Sequence, residues 1–396
     1  MRQAAIALLA AALLGLSGCA QSIYNSYRDI ESLEVVQALG LDSAADGGVV
    51  LSVATGSDAS GKEPVRLRQE SVSLDGAMRD MEQLAGRGTL FFSGTGAIVL
   101  GTAAADEAPR WLDAVARSKE LRLDTELFVL KSGEASELLT GEDAPEDVFA
   151  SLSALADRVR SDGPSPVPTC ADVSRALIAS GAALAAAVDT VRGTDDKLVP
   201  VPAGFAVLTP DGVAGWLEGD EALGAGLFIG GLGVNIVELS GGITVELAGT
   251  EVGIEPVWDG YGALTGIDVT VEVKGSVIEA PPGSDLDSED SWEALGSELA
   301  ELARGWVESV LGRSLELNAD FLGLGRNIES AHPLKFASMP TEWEEAFPEL
   351  EIRVSGSGRI LNMREYADSP FESNGIKSRG GDAKKLNKKE QEVECR

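Results

Sequence analysis

The sequence predicts a chain of two or three domains that mixes α and β structure, with helices packed on sheets. Three observations carry this. The 396 residues exceed one ordinary core, at about 100–200 residues per domain. Residues 74–139 alternate helical and strand patterns, as an α/β or α+β layer does. Residues 201–278 read as a strand meander with glycine turns, ahead of the longest helical pattern at 292–312.

Taken in order, the chain opens on a secretory pattern. Arg2 gives a positive start, residues 4–14 are an Ala/Leu/Ile run, and Leu16-Ser17-Gly18-Cys19 follows. A charged start, a short apolar run and small residues before a cleavage point mark a signal segment. The run is shorter than the about 20 apolar residues a spanning helix needs. The tetrapeptide looks like a bacterial lipobox, which makes Cys19 the expected lipidation site; an ordinary signal segment with an incidental cysteine is the alternative. Residues 1–18 are then a lipoprotein signal, 19–30 a lipid-anchored tether, and the rest an ectodomain outside the cytoplasm. Each buried acyl methylene is worth about 0.8 kcal/mol, so two or more chains give a lasting membrane anchor.

Residues 33–41 and 49–54, joined by Asp46-Gly47-Gly48, read as a β-hairpin. Residues 65–72 alternate like an edge strand. Leu74, Met78, Met81 and Leu84 share one helical face, so 74–85 is an amphipathic helix, ended by Gly86 and Gly88. Residues 89–100 are strand-like, with Gly94 and Gly96 marking a bulge or a close backbone approach. A helix at 109–117, a strand at 124–131, a helical turn at 134–139, a helix at 146–160 and a proline-rich loop at 164–168 follow. Residues 171–191 read as one Ala-rich helix, with Leu177, Leu184 and Val188 along a side and Arg192-Gly193 as its stop.

Beyond it, 201–208 and 213–217 flank a Pro210-Asp211-Gly212 turn. Strands are expected at 224–237, 242–247, 252–257 and 264–278. The helix at 292–312 carries the stripe Leu295, Leu299, Leu302, Trp306, Val310 and Leu311. A strand at 315–322, a helix at 340–347 and a last alternating strand at 351–361 complete the pattern. From Arg364 hydrophobic residues thin out. Lys377, Arg379, Lys384, Lys385, Lys388 and Lys389 then make a basic tail expected to be disordered, free to fold back on an acidic body or to face anionic lipid.

The net charge is −32. Phosphate binding needs clustered cations, so no nucleic-acid partner is expected. The charge gives solubility, or alternatively an acidic docking face for a basic partner. Besides Cys19, Cys170 and Cys395 remain, and an oxidising compartment permits a bridge between them. His332 is the single histidine, and no Cys or His pair has ligand spacing, so neither a metal nor another cofactor is expected. No nucleophile elbow, phosphate-binding loop or zinc-protease motif occurs. A Ser-His-Asp triad would have only His332, just before Pro333. Gly230-Gly231-Leu232-Gly233 and Gly323-Leu324-Gly325 read as tight turns. The residues point to a binding or assembly protein with no catalytic residues, and they do not name a ligand-binding set.

These pieces, in order, resemble the Ger(x)C lipoproteins, the C subunits of bacterial spore germinant receptors. Leu33-Glu34-Val35-Val36-Gln37-Ala38-Leu39-Gly40-Leu41-Asp42 is similar to the family's opening strand, ending in Gly-hydrophobic-Asp. The helix from Leu74, the strand at 90–100 and Leu127-Phe128-Val129-Leu130-Lys131-Ser132-Gly133-Glu134-Ala135 continue the likeness. Gly204-Phe205-Ala206-Val207-Leu208, Gly212-Val213-Ala214-Gly215-Trp216-Leu217 and Glu221 resemble its hairpin and acidic turn. Asn318-Ala319-Asp320-Phe321-Leu322-Gly323-Leu324-Gly325 and Trp343-Glu344-Glu345-Ala346-Phe347-Pro348 resemble its last two motifs. Phe336 departs from an earlier tryptophan, residues 208–211 lack the usual lysines, and the proline-rich loop and basic tail look like additions. Trp216, Trp343 and Phe347 read as core anchors, and Asp320 as a local backbone acceptor.

The resemblance implies a Ger(x)C-like α+β fold: a multi-domain ectodomain of mixed β-sheets with packed helices. Its parts would be an N-terminal α+β domain at 31–198, a middle β-rich domain at 199–262, a C-terminal α+β domain at 263–362 and the tail at 363–396. It further implies a non-enzymatic germinant-receptor subunit on the outer face of the spore inner membrane. Its partners there would be the integral-membrane A and B subunits. Two other readings stay open: a lipid-anchored solute- or envelope-binding protein, which needs an apolar cleft with convergent polar groups, and a lipid-anchored hydrolase.

Overall fold

Strands buried on both faces start the first sheet. β1 (Leu33–Ser43) and β2 (Val49–Thr55) form the expected antiparallel hairpin. Its turn is tied by Ala44 N–H to Gly48 O at 3.1 Å and by Gly48 N–H to the Asp46 carboxylate at 2.9 Å. β3 (Arg66–Ser71) lies on the sheet edge, as its alternation predicts. This computed structural model describes residues 33–56, 64–85, 89–161, 167–229, 236–284, 286 and 288–363. The expected signal segment, the tether with Cys19, the sequence from Gly230 to Gly233, Gly86, Gly88 and the tail from 364 onward lie outside the described residues.

α1 (Leu74–Leu84) buries Leu74, Ala77, Met78 and Met81, one face at helical spacing, and Ser73 caps it by accepting from Gly76 N–H at 3.2 Å. The single strand expected at 89–100 is two. β4 (Thr89–Phe91) and β5 (Ala97–Leu100) both run parallel to β1, and a 3-10 turn at Phe92–Gly94 separates them. The turn buries Phe92, and Thr95 Oγ1 closes it on Phe92 O at 2.7 Å. Both glycines there are close approaches: a Cβ on Gly94 would lie 2.4 Å from Val35 Cγ1, and one on Gly96 2.5 Å from the Phe149 ring.

α2 (Thr102–Ala105), α3 (Ala108–Arg117), β6 (Glu126–Leu130), α4 (Ala135–Thr140), α5 (Val148–Ser161) and α6 (Cys170–Ser180) follow. The helix expected over 171–191 stops early. Gly181 adopts φ +67° and its N–H returns to Leu177 O at 3.1 Å, a left-handed helix stop. β7 (Ala183–Arg192) then begins. Its first six residues are buried, with β6 parallel on one side and β8 (Leu198–Thr209) antiparallel on the other. Alanine favours helix, but a central strand covered on both faces needs only an unbroken apolar run.

β9 (Gly212–Leu217) completes the order β3-β2-β1-β5-β6-β7-β8-β9, with β4 beside β1. The 198/199 boundary expected between the first two domains therefore falls within one sheet, inside β8. α1, α3 and α6 cover one face through Met81, Trp111 and Val173, while α4 and α5 cover the other through Leu138 and Leu152.

Of the strand expected at 224–237, residues 224–229 are helical instead, the second half of α7 (Gly219–Ile229), and 236–237 open β10 (Ile236–Leu239); residues 230–235 lie outside the described residues. Gly224 serves helix packing. A Cβ on Gly224 would lie 2.1 Å from the carbonyl oxygen of Trp306, in α8 (Glu289–Glu316). β11 (Ile243–Trp258) joins the two strands expected at 242–247 and 252–257, with an irregularity between Leu247 and Gly249. β12 (Leu264–Glu279) pairs antiparallel to it, and β13 (Glu351–Met363) pairs parallel to β12, giving the order β10-β11-β12-β13. On β12, Ile267, Val269, Val271 and Val273 are buried under α8 while Glu272 and Lys274 face solvent. The stripe read on α8 is buried apart from the half-buried Leu302.

The strand expected at 315–322 is instead the end of α8 and a turn. Ser314 Oγ donates to Ala319 O at 2.7 Å, and Asn318 takes φ 47°. Ala319 and Phe321 are both buried, which imitates strand alternation. α9 (Leu324–Ala331), α10 (Pro333–Phe336) and α11 (Trp343–Ala346) follow, so the helix expected at 340–347 starts later. Leu184, Phe205 and Val207 of the first sheet pack on Ala225 of α7 and Val310 of α8, joining the two sheets.

Candidate functional site

Two buried aspartates stand in segments singled out from the sequence. Asp42, at the end of β1, accepts from Ala135 N–H at 2.7 Å and Ser136 N–H at 2.8 Å, the first residues of α4. Gly101 makes room for it, since a Cβ there would lie 1.9 Å from Asp42 Oδ1. Burial raises the Asp42 pKa against these hydrogen bonds. Asp320 accepts from Leu324 N–H at 2.7 Å and Gly325 N–H at 2.8 Å, opening α9, with the Trp343 side chain as a further hydrogen-bond partner. Burial pushes this carboxyl up to about 6. Trp343 covers Gly325, where a Cβ would lie 2.5 Å from the indole, and stacks at 5.2 Å on Phe347 and 6.0 Å on Phe336. Both carboxylates hold helix starts, which is a structural use.

A groove of about 330 Å³ lies on the α5 side of the first sheet. Phe128, Ala186, Val188 and Phe205 form its floor, Leu155 of α5 one wall, and Ala222 and Leu223 of α7 the other. Lys131, whose N–H donates to Val188 O at 2.9 Å, pairs with Glu218, which directly precedes the lining residue Gly219. Sequence reading missed this groove. Gly219, Ala222 and Gly226 share a helical face, and that spacing was the available signal, hidden by the strand reading of the segment.

Other candidates are dispersed. Cys19, the expected lipidation site, lies outside the described residues. Cys170 is a free, buried thiol opening α6, and burial pushes it up to about 12; Cys395 lies outside the described residues. His332 caps the end of α9, its N–H donating to Ile328 O at 2.8 Å. Gly323 opens α9 at φ +69° rather than forming an isolated turn. Trp216 is half-buried on the first core and Phe347 is fully inside the second. Among the described residues no group of three His, Cys, Asp or Glu side chains could hold a metal ion. None of their helices is long and apolar enough to cross a membrane.

Two family models match in succession. Residues 26–190 match the spore germination protein N-terminal domain, and residues 203–363 match spore germination B3/GerAC like, C-terminal. The chain belongs to the Ger(x)C family. The crystal structure of the GerBC protein is similar in fold, with a TM-score of 0.54 at 17% identity, over 82% of this chain and 97% of that one. No curated protein shows a significant sequence match. The Ger(x)C fold is thus the expected α+β, multi-domain arrangement of mixed sheets with packed helices, and membership supports a germinant-receptor C subunit. The two family models part between residues 190 and 203, around the connection from β7 to β8, while the sheet itself runs on through β9.

Proposed function

We propose that this Ger(x)C chain is the C subunit of a spore germinant receptor and acts as a non-catalytic scaffold. Its ectodomain is held by lipid on Cys19 at the outer face of the spore inner membrane, beside integral-membrane A and B subunits. The ordered match of both family models across residues 26–363 carries this reading. Two further observations agree with it. The carboxylates of Asp42 and Asp320 are engaged on backbone N–H groups, and the Cys170 thiol is buried, so these groups serve the fold. A lipid anchor reduces the search for membrane partners to two dimensions and raises effective concentration.

Solute binding is the second reading, and the groove beside α7 bears on it. Among the described residues its lining has no polar side chain to orient an amino acid or sugar, which favours the scaffold role over polar-solute capture. The test is deletion of the gene in its own organism, complemented by wild type or by Cys19→Ala. The expected result is a lost nutrient germination response, restored by wild type and not by Cys19→Ala, which is released from membranes. Unchanged germination with lost solute uptake would replace this reading with the second.

A further inference from the structure

The groove between α5 and α7 is built for an apolar guest. Among the described residues its lining is made up of Phe, Leu, Val, Ala, Pro and Gly. A polar guest would shed water there and gain no hydrogen bond from a side chain, whereas an apolar guest gains by leaving water. The floor is bare because β7 and β8 supply small residues where their register shifts, between Ala186 and Val188. Gly204 there takes φ +81°, and a Cβ on it would collide with Leu217 O at 2.0 Å and approach Ala222 at 3.3 Å, so sheet and α7 meet without a side chain between them.

Size narrows the guest. The groove's volume of about 330 Å³ is roughly twice that of an apolar cavity of about 150 Å³ that binds one benzene. That matches one medium-length alkyl chain better than the paired chains of a phospholipid. Charge gives the chain a direction. The Lys131–Glu218 pair flanks the lining at Val188 and Gly219. An arriving carboxylate can take the place of Glu218 beside the Lys131 ammonium.

We propose that this groove binds a single medium-chain fatty acid, its alkyl chain between α5 and α7 and its carboxylate at Lys131. The site is independent of the receptor reading and its test does not use germination. The full chain in its membranes is irradiated with a diazirine-bearing dodecanoate, and the cross-linked peptides are mapped by mass spectrometry.

The expected labels fall on peptides carrying Leu155, Val188, Phe205 or Leu223, and unlabelled dodecanoate competes them away. Ala222→Phe fills the groove and lowers that labelling at least about ten-fold, equivalent to about 1.4 kcal/mol of binding. Lys131→Gln lowers labelling by the fatty acid while leaving that by a diazirine dodecanol unchanged. If thermal melting shows that Ala222→Phe does not fold, Val167→Asp, which places a charge in the lining, carries the same expectation. Labelling elsewhere only, labelling indifferent to these substitutions, or equal labelling of the lining by a diazirine phospholipid would overturn the proposal.

Discussion

The Asp320 carboxylate and the Trp343 indole meet over the first turn of α9, joining two segments more than twenty residues apart in sequence. Asp320 gathers the N–H groups of Leu324 and Gly325, and Trp343 seals them from water. Asp320→Ala leaves those donors buried without their acceptor. The expected cost is about 1–3 kcal/mol, read as a lowered midpoint in denaturant unfolding.

Asp320 also gives stability a pH dependence. Its folded-state value of about 6 lies above the ordinary 3.8, so the folded chain binds this proton more tightly than the unfolded one. The resulting stabilisation is fully present below about 3.8 and is lost as pH rises through about 6. Asp42 shifts in the same direction. For Asp320 the change is on the order of 3 kcal/mol. Asp320→Asn does not titrate, so the stability of wild type relative to this variant falls across that window. A flat difference contradicts the assignment.

The contact of α8 with β13 depends on missing side chains. A Cβ on Gly358 would lie 2.1 Å from Gly296 O, and one on Gly356 2.7 Å from Ala300 O. Gly358→Ala must push the helix off the strand, at an expected cost of about 1–3 kcal/mol. Gly249, with nothing within 4 Å of its Cβ position, is the control; Gly249→Ala changes stability by no more than about 0.5 kcal/mol.

Cys170 is inert while the chain is folded. It is fully buried and its thiol is pushed up to about 12, so little thiolate forms at neutral pH. Alkylation followed by peptide mapping is expected to leave Cys170 unlabelled under native conditions and to label it after unfolding in denaturant. Native labelling, or recovery of a Cys170–Cys395 bridged peptide, contradicts this environment.

What the sequence reveals and what it conceals have a common cause. The β1–β2 hairpin, α1 and α8 are legible because each has a turn signal or one apolar stripe beside a polar face. The segments at 183–188 and 224–227 are apolar on more than one side, so no polar face marks their period, and at 319–321 the buried Asp320 between Ala319 and Phe321 imitates the alternation of a strand. Helix and strand then look alike. Asp320 could be read as a backbone acceptor because its partners lie four and five residues away. Of the groove only the Gly219, Ala222 and Gly226 spacing is local; its other residues come from β6, α5, β7, β8 and the segment before α6 and meet only in three dimensions.

The most direct test of the receptor assignment is a pull-down of the tagged, lipidated chain from detergent-solubilised membranes of its own organism, with bound proteins identified by mass spectrometry. Two polytopic membrane proteins of the germinant-receptor A and B types are the expected partners. Recovery of transporter permeases instead, or of no membrane protein, would contradict it.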